Sequence, residues 1–300
     1  MAGGITMAQA KAITFEEFRK QYGSEEACRK ELFLLRFPDG FVCPKCGSRE
    51  YYPIRKRNTC QCKNCRHQTS VTAGTVMHRT HLPLTNWFWA MYLCATDKRG
   101  ISASHLQRLL DVCYETAWYL LARIRTAMGQ RDANYVLSGL VEMDDCYLGG
   151  PCSGGKRGRG TDKAKVVVAL SKTGQGAPLF AHMQVVRDLQ AKTLQEFVDQ
   201  YLANGATVQC DGFSSYKDLT GVNCDAKAFD PAGGDLKWVH KSISNLKAFL
   251  LGTYHGRCAK LQSYLDEFCF RLNRRHTVHQ LFPRLARAVA TSTTSCVLLS

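Results

Sequence analysis

The sequence predicts a multidomain α+β chain: N-terminal helices and a cysteine ribbon, a helix-turn-helix, and then an α/β domain built on a mixed sheet. Three observations lead there. Two CxxC knuckles, Cys43 to Cys46 and Cys62 to Cys65, stand fifteen residues apart. Two short amphipathic helical patterns meet at Asp111-Val112-Cys113. From Leu140 onward, strand patterns and helices follow in the order three strands, helix, two strands, helices, which predicts a five-stranded mixed sheet.

Taken in order, Thr14-Phe15-Glu16-Glu17 is a capping box that opens a helix, and a second helix runs from about Ser24 to Arg36 before Pro38-Asp39-Gly40 breaks it. The knuckles flank a Tyr51-Tyr52 strand pattern and match a four-thiolate zinc ribbon, in which one tetrahedral Zn2+ holds hairpins too small to bury a core. Cys43, Cys46, Cys62 and Cys65 are its expected ligands, with Cys60 an irregularly spaced alternative to Cys62. Trp87, Phe88 and Trp89 read as core. Helical patterns at Ile101 to Leu110 and Tyr114 to Arg125 put Leu106, Leu109, Leu110, Ala117, Leu120, Leu121 and Ile124 inward and Arg108, Arg123 and Arg125 outward, which suggests DNA reading.

The third unit has strand patterns at Leu140 to Leu148, Lys165 to Leu170 and Pro178 to Val186, a helix from Ala191 to Leu202, and strands at Thr207 to Cys210 and Asp225 to Phe229. Helices are expected over Leu236 to Leu251, Arg257 to Asn273 and His279 to Thr291. This is the ribonuclease H-like order. The expected boundaries are 1–40, a helical segment; 41–80, the ribbon; 81–132, the helix-turn-helix; 133–292, the α/β domain; and 293–300, a tail.

Composition narrows the function. Forty Lys and Arg against 25 Asp and Glu give a formal charge of +15, a surplus that draws polyanions. With no apolar run of about 20 residues and no leader pattern, the expectation is a cytoplasmic protein without a membrane partner. Fifteen cysteines fit a reduced compartment, since four hold metal spacing and the others are scattered. Asp144 closes Leu140-Val141-Glu142-Met143-Asp144, Asp211 closes Ala206-Thr207-Val208-Gln209-Cys210, and a polar cluster runs from His240 to Lys247. Such positions suit two Mg2+ or Mn2+ ions roughly 4 Å apart, the apparatus of a nuclease or a transposase. The Gly-rich run around Lys156, Arg157 and Arg159 reads as a basic hairpin tip touching DNA backbone, as do Arg274 and Arg275 on a later helix.

On these residues, together with Gly74-Thr75-Val76, Gly100-Ile101-Ser102-Ala103, Tyr147-Leu148-Gly149-Gly150, Asp211-Gly212-Phe213-Ser214-Ser215-Tyr216, Gly252-Thr253-Tyr254-His255 and Glu267-Phe268, the chain resembles bacterial insertion-sequence transposases. The group in question carries an N-terminal zinc ribbon ahead of a DDE-type, ribonuclease H-like, ISXO2-like domain. The resemblance implies binding of double-stranded DNA at the inverted-repeat ends of an element, strand cleavage and transfer to target DNA, and a homodimer or higher oligomer on DNA in the bacterial nucleoid. Asp144 and Asp211 take the first two ligand positions. The third, commonly Glu, falls on Asn245 by its interval from Asp211, with His240 the competitor because it precedes the basic Lys247 by seven residues. Imidazole suits magnesium poorly, which favours Asn245. The absent Glu keeps a second reading open, a catalytically impaired, transposase-derived DNA-binding protein.

Overall fold

In the computed structural model the described residues are 12–54, 57–149, 163–226, 236–254 and 260–293. The chain divides into two compact units, one of Met1–Lys98, Ala103–Ala127 and His276–Ser300, the other of Arg99–Ser102 and Met128–Arg275.

The first unit begins with α1 (Phe15–Tyr22) and α2 (Glu25–Arg36). The first starts at the expected capping box, where the Thr14 and Glu17 side chains reciprocally bond each other's backbone N–H, and the second is capped by Ser24 Oγ, which accepts from Ala27 N. Gly40, at φ +88°, ends the passage into the ribbon. There β1 (Tyr51–Ile54), β2 (Thr59–Cys62) and β3 (Gln68–Ser70) form an antiparallel meander. Next, α3 (Leu84–Thr96) has its first amides bonded by the Glu25 carboxylate, at 3.0 Å from Leu84 N and 2.8 Å from Thr85 N. Trp87 and Phe88 on this helix are buried as core. The helical pair follows as α4 (Ala103–Leu110) and α5 (Tyr114–Asp132), and Asp111 between them takes a left-handed φ of +51°. Leu106, Ala117, Leu120, Leu121 and Ile124 are buried at the expected spacing, whereas Leu109 is exposed.

In the second unit β4 (Leu140–Leu148), β5 (Ala164–Lys172) and β6 (Pro178–Val186) form an antiparallel meander. After α6 (Ala191–Tyr201), β7 (Thr207–Cys210) pairs parallel with β4. The short α7 (Ser214–Lys217), which the pattern does not announce, leads to β8 (Asn223–Ala226), parallel to β7. The sheet order is β6-β5-β4-β7-β8, the mixed ribonuclease H-like arrangement. Strand β8 lies earlier than the expected 225–229, and residues 227–229 fall outside the described ones. Then come α8 (Lys237–Tyr254) and α9 (Leu261–Leu272). Alternation along β4 divides the core: Val141 and Met143 join Leu194, Phe197 and Val198 of α6, while Cys146 and Leu148 join Val239, Ile243, Leu246 and Leu250 of α8.

The chain closes with α10 (Leu281–Thr291). The expected α/β domain runs through 292, but its compact unit stops at Arg275 and α10 belongs to the first unit. The reason is aromatic: Phe282 packs edge-on to Phe18 at 5.4 Å and tilted on Tyr22 at 5.3 Å. No described helix is long and apolar enough to cross a membrane.

One half-buried carboxyl sets a pH dependence. Asp266 on α9 is pushed up to about 7, first by burial and then by the Asp132 charge, against the Gln262 amide that donates to it at 2.8 Å. A raised carboxyl contributes stability below its unfolded pKa that is lost as pH rises through the folded value. Stability of the second unit is therefore expected to decline between about pH 4 and pH 7, and Asp266→Asn to flatten that decline by roughly 1–3 kcal/mol. Chemical denaturation of both proteins across this range checks it; parallel curves would refute it.

Candidate active site and metal centres

Strand β4 carries Asp144 on the face that also carries Glu142 and Cys146, toward α8, and Asp145 on the opposite face. This alternation separates the two adjacent aspartates. On β7, Gln209 stands opposite Glu142 in parallel register, so that Asp211, one step past the strand, is level with Asp144. Asp211 Oδ1 accepts from Phe213 N at 3.1 Å, which fixes the turn it sits in.

His240, in the first turn of α8, completes the group: its Nε2 lies 3.0 Å from Asp144 Oδ2. Asp144 Oδ1 accepts from Asp145 N at 2.8 Å. The Asp144 carboxyl is pushed up to about 6, chiefly by burial and also by the Asp145 and Asp211 charges, against that neighbouring N–H and the His240 ring.

Asn245 is not brought to that cluster. Five residues along a helix turn through roughly 140° relative to the start, and Asn245 is exposed while His240 is half-buried. Lys247, seven residues after His240, shares its flank and lies near enough to act on the Cys146 thiol. Lys237 and Lys241 lie over the Trp238 ring at 5.7 and 4.8 Å, which makes the start of α8 basic.

The basic residues expected to meet DNA divide. Arg108 is exposed on α4. Arg123 instead donates to the carbonyls of Val76 and His78 at 2.9 and 3.0 Å, and Arg125 is 3% exposed, so both serve the fold. Arg274, likewise, is buried in an ion pair with Asp132 at 2.7 Å and stacks on Phe270. Arg275 donates to the carbonyls of Pro178, Leu179 and Leu272. For Arg123, Arg274 and Arg275 the cause is shared: a guanidinium on a polar helix face finds carbonyls or a carboxylate from distant sequence. Lys156, Arg157 and Arg159 lie outside the described residues.

In the ribbon, Cys43, Cys46, Cys62 and Cys65 gather with their sulfurs all within 4.8 Å of one another. The knuckles are built alike. Gly47 N donates to Cys43 O at 2.9 Å and Arg66 N to Cys62 O at 3.0 Å, and Gly47 and Arg66 both have left-handed φ, +73° and +57°. Cys60 stays out of the cluster, half-buried against it. The Cys43–Cys65 and Cys46–Cys62 sulfur separations of 3.6 and 3.5 Å approach the ~3.8 Å edge of a tetrahedron with metal–sulfur bonds of about 2.3 Å.

A sheet in this order is that of a ribonuclease H-like domain, with Asp144 midway along β4 rather than closing it and Asp211 just past the neighbouring β7. Two family models match the chain: the ISXO2-like transposase domain over residues 136–273 and the transposase zinc-ribbon domain over residues 23–68. Together the two matches take in the ribbon and most of the second unit. A search of curated proteins finds no match. Among solved structures, the Mos1 strand transfer complex is similar at 11% identity and a TM-score of 0.27, over 69% of this chain and 78% of that one. A pre-cleavage Mos1 transpososome is similar at 10% identity and a TM-score of 0.23, over 69% and 79%. Likeness at that level carries no weight here, and the fold rests on its own strand order.

Glu142, Lys172 and Gln209 were not singled out by sequence reasoning, yet they lie one rung below the carboxylates. Lys172 Nζ bridges Glu142 Oε1 at 3.0 Å and Gln209 Oε1 at 2.7 Å. The signal was the period of two, which puts Glu142 on the face of Asp144.

Proposed function

We propose that this chain is a DNA transposase that binds the inverted-repeat ends of an insertion sequence and cleaves and transfers their strands with divalent ions held by Asp144, Asp211 and His240. The observation that carries the reading is the 3.0 Å approach of His240 Nε2 to Asp144 Oδ2. Two cis donors of an octahedral ion at about 2.1 Å each stand ~3.0 Å apart. The donor set fits, with Asp144 and Asp211 supplying anionic oxygens and His240 a neutral nitrogen in place of the common Glu. Imidazole shifts the preference from Mg2+ toward Mn2+. A bound ion would activate a water or a 3′-hydroxyl and stabilise the leaving oxygen. The protein's own residues hold the carboxylates level on adjacent strands, aim the imidazole at them, and present Lys237, Lys241 and Lys247 to the phosphates of the strand being cut.

Zn2+ is the ion proposed for the ribbon. End recognition is assigned to the first unit, with Arg108 and the exposed Tyr114 and Tyr119 of α4 and α5 at the duplex. Action as a dimer or higher oligomer on DNA in the cytoplasm completes the reading. Its alternative, binding without cleavage, draws on the missing Glu, and His240 fills that place.

Cleavage of a duplex carrying the element ends, with and without Mn2+, tests the activity, and two substitutions test the third ligand. His240→Ala is expected to lower cleavage about a hundredfold and Asn245→Ala by less than about twofold, as for an exposed position away from the site. The opposite ranking would return the ligand to Asn245; cleavage unaffected by both would shift the search to Glu267.

A further inference from the structure

Helix α8 begins under constraint. Leu236, just before it, is buried in the core yet takes a left-handed φ of +56°, a conformation costly for a branched side chain. Its carbonyl accepts from His240 N at 3.0 Å. The amides of Trp238 and Val239 both donate to one oxygen, Glu142 Oε2, each at 2.8 Å. A carboxylate that is 2% exposed thus reaches from the centre of the sheet and holds the opening turn of the helix that carries His240. The other oxygen of Glu142 is held by Lys172, which is itself held by Gln209 on β7.

We propose that Glu142 is a positioning residue of the active site, fixing the rotation and height of α8 so that His240 meets Asp144. The geometry is over-determined. Glu142 and Asp144 are two residues apart on one strand face, and Trp238 and His240 are two apart in one helical turn, so one cap sets the distance between the next pair. Through Lys172 and Gln209 the same carboxylate links β4, β5 and β7, hence the strand that carries Asp144 and the one that leads into Asp211. The anionic charge suits the role, because it meets the positive end of the helix and the Lys172 ammonium at once. A neutral apolar residue at 142 would leave two helix amides and an ammonium without this partner in a buried place. The inference rests on the reading of Asp144 and His240 as metal holders, but the position of the helix can be measured without it.

Glu142→Asp, one methylene short of the amides, and Glu142→Gln, which keeps an acceptor at the original reach, are the informative pair. Amide hydrogen exchange followed by mass spectrometry reads the first turn of α8, and thermal shift against Mn2+ concentration reads metal half-saturation. Glu142→Asp is expected to speed exchange at 237–241 about tenfold, with the strands still protected. It should also raise Mn2+ half-saturation about tenfold and leave binding of the duplex ends unchanged. Glu142→Gln should recover most of both losses. Gln209→Ala, which frees only the far end of the chain of contacts, serves if Glu142→Asp does not fold, and is expected to give the same local signature about threefold in size. First-turn exchange and half-saturation both within twofold of the parent in the folded variants would overturn the proposal. If the parent neither binds Mn2+ nor cleaves DNA, the transposase reading fails, and the exchange data still decide what Glu142 does to α8.

Discussion

Asp144→Asn and Asp211→Asn are each expected to lower Mn2+-dependent strand cleavage about a thousandfold or more, while binding of the duplex ends stays within twofold. The two carboxylates come from separate strands, and the β4–β7 register sets them level. Each therefore supplies an anionic oxygen that no neighbouring group replaces, since Asp145 leaves β4 on the other face. Substitution by Asn keeps the shape and removes the charge. Folding should not suffer: the Asp144 carboxyl is pushed up to about 6, mainly by burial, so its ionised form is disfavoured in the protein without metal and Asn relieves that cost. End binding is proposed for the first unit, whereas both substitutions fall in the second. Cleavage of labelled duplexes, alongside a gel-shift measurement on the same preparations, separates the two effects. Cleavage above about a tenth of the parent rate in either variant would move the chemistry away from these strands.

How much of this was legible in the sequence depends on the range over which each feature is decided. The cap at Thr14, the limits of β4 and β6 and the face of Asp144 are set by neighbours within a few residues, and local pattern finds them. The residue proposed as third ligand depends on which flank of α8 faces β4. An interval counted along the chain favours Asn245, whereas helical rotation favours His240, and only the sheet says which flank matters. Arginine roles are harder still. Arg123 reaches carbonyls 45 and 47 residues away and Arg274 a carboxylate 142 residues away, so a polar-looking face conceals internal bonds. The same holds for α10: its apolar stripe announces burial but not which core receives it.

The ribbon provides the other large effect, because its thiolates and its fold are a single system. Beyond Phe41, Cys43 and Cys62, with Phe33, Phe37, Tyr51, Cys60 and Cys65 alongside, the ribbon has little apolar substance of its own. Metal binding must supply most of the free energy that orders it, on the order of 10 kcal/mol for four-ligand zinc units. Purified protein is expected to hold one zinc per chain. Cys62→Ser should lose it and Cys60→Ser keep it, because Cys62 belongs to the four-sulfur cluster and Cys60 stands outside it on the same short strand. Chelation should then expose 41–70 to proteolysis and leave the five-stranded sheet of the second unit protected, since that core is built from side chains without metal. Element analysis with limited proteolysis decides the matter. A folded, zinc-free ribbon, or zinc kept by Cys62→Ser and lost by Cys60→Ser, would mean that the four sulfurs meet for a reason other than metal.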